Sequence, residues 1–190
     1  MSPVTHFLAG WVIANAGRFN RRERTVITIA AVVPDIDGLG IIPELLTRHS
    51  QHPLLWFSQF HHSLHTLLFA VIIGVLSFFL SGRKWMPAAF AFFAFHVHLF
   101  EDFVGARGPD GYVWPIPYLY PFSGQWTFMW NGQWKLNAWP NVALTIVLLV
   151  ITIVLAVRRG FSPVQIFSSR ADHAVVAALR NRLAKQIKPA

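Results

Sequence analysis

Histidines and aspartates recur along the first hundred residues in patterns that suit a divalent metal ion. His98-Leu-Phe-Glu-Asp102 sets an imidazole and a carboxylate four residues apart, which on a helix is one face. His61-His62-Ser-Leu-His65 offers a second pair four apart, His61 and His65, with His62 three residues from His65. Pro34-Asp35-Ile36-Asp37-Gly38 places two carboxylates two residues apart after a helix stop. In an extended segment both point the same way, one to bind metal and the other to orient or deprotonate a water. Thr5-His6 adds an imidazole near the start, and Glu101, His62 and Asp110 are candidates for the layer behind the ligands. Each motif has a plainer reading: a His–Asp pair inside a bundle, a polar helix start, a capped turn. Their co-occurrence favours the metal.

There is no cysteine, so any ion must be held by imidazole and carboxylate, which suit zinc, manganese or iron. His96 lies about 200° around a helix from His98 and faces elsewhere. His49, His52 and His173 read as surface residues.

The elements that must position these groups are membrane helices. The 190 residues are 54% hydrophobic and 13% charged, with mean hydropathy +0.46, too little polar surface for a water-soluble domain. Three apolar runs approach the length of a span: Leu64–Leu80, Met86–Phe103 and Asn141–Val157. The first two are joined by the basic turn Ser81-Gly82-Arg83-Lys84, which makes them an antiparallel hairpin. Val4–Ala16 and Thr25–Val33 are shorter and read as half-depth or bundle-packed helices, the second stopping before Pro34. The stretch from Gly105 to Pro140 holds Trp114, Trp126, Trp130, Trp134 and Trp139 among prolines and glycines, a composition that settles at the membrane–water interface. From Ser162 to Ile187, apolar residues recur at helical spacing among basic ones, as in an amphipathic surface helix.

The expected fold is all-α: an integral membrane bundle of about five membrane-embedded helices plus a C-terminal amphipathic helix. It divides into a membrane-embedded metal-site domain (1–160, with the interfacial aromatic segment 104–140) and a basic cytoplasmic tail (161–190). No cleavable signal peptide is expected, since the first apolar stretch lacks a basic leader and a small-residue cleavage site.

The net charge of +8 is concentrated beside apolar runs, so anchoring at anionic lipid headgroups is expected rather than nucleic-acid binding. Of the 16 Lys and Arg, only Arg48, Arg107 and Lys135 fall outside four basic clusters. Placing those clusters in the cytoplasm gives a topology with the N-terminus outside. His6, Asp35, Asp37, His61, His65, His98 and Asp102 then all fall at the non-cytoplasmic end of a bacterial-type inner membrane.

The ordered set Thr5-His-Phe-Leu-Ala-Gly10, Val33-Pro-Asp-Ile-Asp-Gly38, His61-His-Ser-Leu-His-Thr66 and His98-Leu-Phe-Glu-Asp102, followed by a Trp-Pro/Tyr-Pro-Phe segment, resembles the YdjM-like membrane-bound metal-dependent hydrolases. The resemblance spans residues 5 to about 122. It implies metal-ligand roles for His6, Asp35, Asp37, His65, His98 and Asp102. The third motif departs from the family's His-Arg-Gly-x-Thr-His-Ser, and both His61 and His62 stay eligible. That family is distantly similar to zinc-dependent phospholipase C and the P1-type nucleases, helical enzymes that cleave phosphoesters at a multi-zinc site. With no histidine between His98 and His173, one or two ions fit this chain better than three.

The expectation is therefore a membrane hydrolase that cleaves a phosphoester of a lipid or lipid-linked substrate with metal-activated water. The rivals are a non-haem di-iron lipid oxygenase, suggested by the His-His-x-x-His box, and a non-catalytic membrane scaffold with a structural metal site.

Overall fold

The structure, a computed structural model, describes residues 1–108 and 110–187. The last three residues of the expected tail lie outside the described residues. Everything regular among them is helical; residues 106–138 add two isolated bridges, Arg107 with Lys135 and Ile116 with Phe128.

Helix α1 (Pro3–Ala14) starts where Ser2 accepts the Thr5 amide at 3.2 Å and Pro3 presets the first turn. Helix α2 (Arg21–Ala30) opens on a capping box in which Asn20 and Glu23 each take the other's amide. A 3-10 helix, Val33–Gly40, follows, with Pro34 in its first turn. Two short helices, α3 (Ile41–Thr47) and α4 (Trp56–Phe60), lead to α5 (Leu67–Leu80), capped by Thr66. Helix α6 (Trp85–Gly105) is central and packs against α1, α2 and α5. Helix α7 (Trp139–Arg159) packs on α1 and stops at Gly160, whose φ of 80° suits glycine. A 3-10 turn, Pro163–Ile166, and α8 (Ser169–Ile187) close the chain.

By length and composition α6 and α7 can each cross a membrane. A third span results if α2 and residues 33–47, bent by 50° at their break, count as one. Helix α1 (12 residues) and α5 (14 residues) reach only about 18 and 21 Å at 1.5 Å per residue, short of a core about 30 Å thick. The outward faces of α5 (Val71, Val75, Phe79) and α7 (Ile146, Val150, Val154) are exposed and apolar, the surface a lipid-facing helix presents.

The inner helices approach closely through small residues. A Cβ on Gly10 would lie 2.6 Å from Ala31 Cβ and 2.9 Å from the Thr28 carbonyl, so only glycine lets α1 and α2 pack at this distance. Ala14, Ala30, Ala31, Ala91 and Ala94 with Ile27 continue the seam onto α6.

The basic clusters gather at one end. Lys84 Nζ meets Glu23 at 2.7 Å, Arg21 donates to Ser169 at 2.6 Å, and Arg24 to Gln165 at 3.1 Å. Arg180 on α8 donates to the Val157 carbonyl at the end of α7. Lys84 and Asp102 bracket α6, so the basic end and the His–Asp end are separated by about 27 Å along the helix.

Candidate metal centre

Four chain segments bring the imidazoles and carboxylates together. His6 lies in the first turns of α1, Asp35 in the 3-10 helix after α2, and His98 and Asp102 one above the other near the end of α6. His65 arrives from the turn before α5.

Ligand atoms of His6, Asp35, His98 and Asp102 lie within 4.8 Å of one another, a group that can hold a metal ion. His98 Nε2 is 3.2 Å from Asp102 Oδ2 and 3.7 Å from Asp35 Oδ1. His6 Nε2 is 3.2 Å from Asp102 Oδ1 and 3.9 Å from Asp35 Oδ2. His65 Nε2 joins them, 3.3 Å from Asp102 Oδ2 and 3.1 Å from His98 Nε2. The three rings are fully buried, and the two carboxylates reach a cavity, Asp35 the more exposed with 17% of its side chain open.

The hydrogen bonds behind the rings fix their protons. His98 Nδ1 lies 2.9 Å from the Ala31 carbonyl, which can only accept, so Nδ1 donates and Nε2 is left bare. His6 Nδ1 donates to the Glu101 carboxylate at 2.6 Å, and its Nε2 has no hydrogen-bond partner. Two bare imidazole nitrogens thus face the same space as two carboxylates. Asp35 Oδ2 is likewise unpartnered, while the Met1 ammonium donates to Asp102. His6 Nε2 and Asp35 Oδ2 are buried acceptors without donors, which is costly, and a cation relieves them. The donor set fits a divalent ion.

Two expectations of local geometry are corrected. The segment from Val33 to Gly40 is a 3-10 helix rather than extended, so two residues turn the chain by about 240° and the carboxylates part company. Asp35 faces His6, His65 and His98. Asp37 turns to the 61–65 segment, where Oδ1 accepts from His61 Nδ1 at 3.0 Å and Oδ2 from the Leu64 amide at 3.2 Å, 3.6 Å from His65 Nδ1. The second correction concerns His61 and His65. Helix α5 begins at Leu67, and His62 has a φ of 76°, so the two histidines do not share a helical face. They meet on Asp37 instead.

His62 is clamped between rings, 4.4 Å from His65 and 4.8 Å from Trp114, both nearly parallel to it. Burial, reinforced by His65 and His61, pushes its pKa well below the usual histidine range. A cavity of about 340 Å3 is lined by Asp35 and Asp102 together with His61, His62, Phe57 and Trp114. Glu101 stands behind His6, in the layer where a carboxylate orients a ligand. Asp110 occupies an exposed turn and accepts the Tyr112 amide at 3.1 Å. His96 faces away from the group, as its angle on α6 requires, and bonds Phe92 O and Tyr118 Oη at 2.8 and 2.9 Å. His49, His52 and His173 are exposed.

Sequence patterns did not single out the residues that hold the 106–138 segment over the site. Buried Gln133 donates to the Asp102 carbonyl at 2.8 Å and accepts the Trp114 amide at 3.2 Å. Asn141 donates to the carbonyls of Gly105, Lys135 and Leu136 and accepts from Trp134 Nε1. The available signal was an amide side chain opening an otherwise apolar run.

No curated protein and no solved structure matches the chain. The family described as YdjM inner membrane protein matches residues 1–178, nearly the full length, and the chain belongs to that family of membrane proteins.

Proposed function

We propose that the protein is a membrane-bound metal-dependent hydrolase that cleaves a phosphoester of a lipid or lipid-linked substrate. The observation that carries this reading is the convergence of bare His6 and His98 Nε2 atoms on Asp35 and Asp102, at the wall of an aromatic-sided cavity. His6, Asp35, His65, His98 and Asp102 hold one or two divalent ions, zinc first, with manganese or iron as alternatives. Bound there, a divalent ion supplies Lewis acidity and a water of lowered pKa.

The chain's own groups do the rest. Asp35, whose Oδ2 is free of other hydrogen bonds, orients the attacking water, takes its proton as oxygen adds to phosphorus, and returns that proton to the ester oxygen, which leaves as the alcohol when its bond to phosphorus breaks. Asp37, with both oxygens engaged, keeps His61 and His65 in place, and Glu101 orients His6. Phe57 and Trp114 limit water at the reacting group.

In this reading α1, α2 with its 3-10 extension, α5, α6 and α7 are the five embedded helices. The basic end is cytoplasmic and the metal centre opens on the outer side, with residues 1–160 as one domain and 161–190 as a tail at anionic headgroups. The test is elemental analysis of detergent-purified protein, wild type against His98→Ala, followed by a panel of phosphoester substrates. Stoichiometric zinc lost in the variant, with a phosphoesterase activity lost alongside it, is the expected result. No bound divalent metal in the wild type removes the proposal, and iron with an optical band transfers it to the oxygenase reading.

A further inference from the structure

A second cavity, of about 510 Å3, opens at the basic end of the bundle between the α1–α2 turn and the start of α6. Its charged wall is Arg18, Glu23 and Lys84. Glu23 is buried and neutralises Lys84 at 2.7 Å, while Arg18 is exposed and makes no ion pair or side-chain hydrogen bond among the described residues. The wall therefore carries one net positive charge, that of a guanidinium suited to a phosphate.

Beside it an apolar groove of about 530 Å3 runs between α5 and α6. Gly74, Ala88 and Ala89 make its floor low, and Phe78, Phe79 and Phe92 raise its sides. Trp85, 78% exposed, lines both spaces and stands where they meet. A cationic chamber leading into an apolar trough has the form of an amphiphile with an anionic head, and a tryptophan at the junction marks the depth of a headgroup.

We propose that this paired site holds one anionic phospholipid, its phosphate against Arg18 and Lys84 and one acyl chain along the α5–α6 groove. The groove lies on the lipid-facing side of the hairpin, continuous with the exposed face of α5, so a chain enters it from the bilayer without any helix moving. The site is independent of the metal centre at the other end of α6.

The experiment titrates the full-length, detergent-purified protein with phosphatidylglycerol or phosphatidylcholine and reads lipid adducts by native mass spectrometry. A brominated-chain phosphatidylglycerol then reports on Trp85 by fluorescence quenching, isolated as the difference between wild type and Trp85→Phe. Phosphatidylglycerol is expected to be retained over phosphatidylcholine, and Arg18→Gln to weaken its retention about fivefold. Ala89→Phe, at an exposed position on the groove floor, should lower the quenching while leaving the melting temperature unchanged. Equal retention of both lipids by the wild type, or retention and quenching unaffected by either variant, overturns the proposal. So does a dimer that shields Trp85 and excludes lipid, because a second copy then covers the groove.

Discussion

Replacing Glu101 is expected to weaken metal binding without deleting a ligand. Its Oε2 lies 2.6 Å from His6 Nδ1, and both side chains are buried, so this is a short charge-assisted bond in a poorly hydrated place. The bond holds the His6 ring with Nε2 toward Asp35 and Asp102 and makes that nitrogen a better donor. Losing such an orienting carboxylate costs about 10- to 100-fold in metal affinity, or about 1.4–2.7 kcal/mol. Glu101→Gln keeps an acceptor for Nδ1 and belongs near the lower figure. Glu101→Ala strands a buried N–H and belongs near the upper one. The assay is competition for zinc between purified protein and a chromophoric chelator, with His98→Ala as the variant that loses a ligand. His96→Gln is the control, since His96 bonds Phe92 and Tyr118 on the far side of α6. Wild-type affinity in Glu101→Ala together with lost affinity in His98→Ala refutes the orienting role. Unchanged affinity in both means that no centre exists.

Removing metal with a chelator should lower the wild-type melting temperature by about 5–10 °C, the shift for a site saturated about 100-fold above its dissociation constant. His98→Ala should already melt low and not respond. Gly10→Val should destabilise by at least about 1–3 kcal/mol in thermal or denaturant unfolding, because its side chain meets Ala31 and Thr28 at less than contact distance; unchanged stability contradicts the close α1–α2 seam. Asn141→Ala strands the Trp134 indole N–H and the Gly105 and Leu136 carbonyls, while the Lys135 carbonyl keeps the Ala138 amide, and each buried orphan costs about 1–3 kcal/mol; limited proteolysis should then cut within 106–138. The chain has no cysteine, so single introduced ones report sidedness cleanly. Gln125→Cys should react with an impermeant maleimide on intact cells, and Arg22→Cys only after permeabilisation; the reverse pattern inverts the proposed orientation.

Two of the long apolar runs were legible to within a turn. Met86–Phe103 and Asn141–Val157 became Trp85–Gly105 and Trp139–Arg159, because unbroken apolar runs flanked by basic residues or proline leave few alternatives. The His98–Asp102 pairing followed from helical spacing alone. Short segments were harder. Asp35 and Asp37 separate because Pro34 opens a 3-10 turn, and local sequence around a proline does not distinguish that from an extended strand. Thr66, as a cap, delays α5 past His65 although Leu64 extends the apolar run. Gln133 and Trp114 were illegible for a different reason: their partners lie 19 to 31 residues away, in a stretch with no periodicity to place them.

The group that includes His6 and Asp102 draws on segments strung over nearly the first hundred residues, and each ring is steadied from elsewhere: His98 by Ala31, His6 by Glu101. A nascent chain halted after α5 owns half of these groups and none of the braces from α6. Four converging donors therefore exist only once α6 has joined α1 and the Asp35 turn, so the group assembles late and in one step.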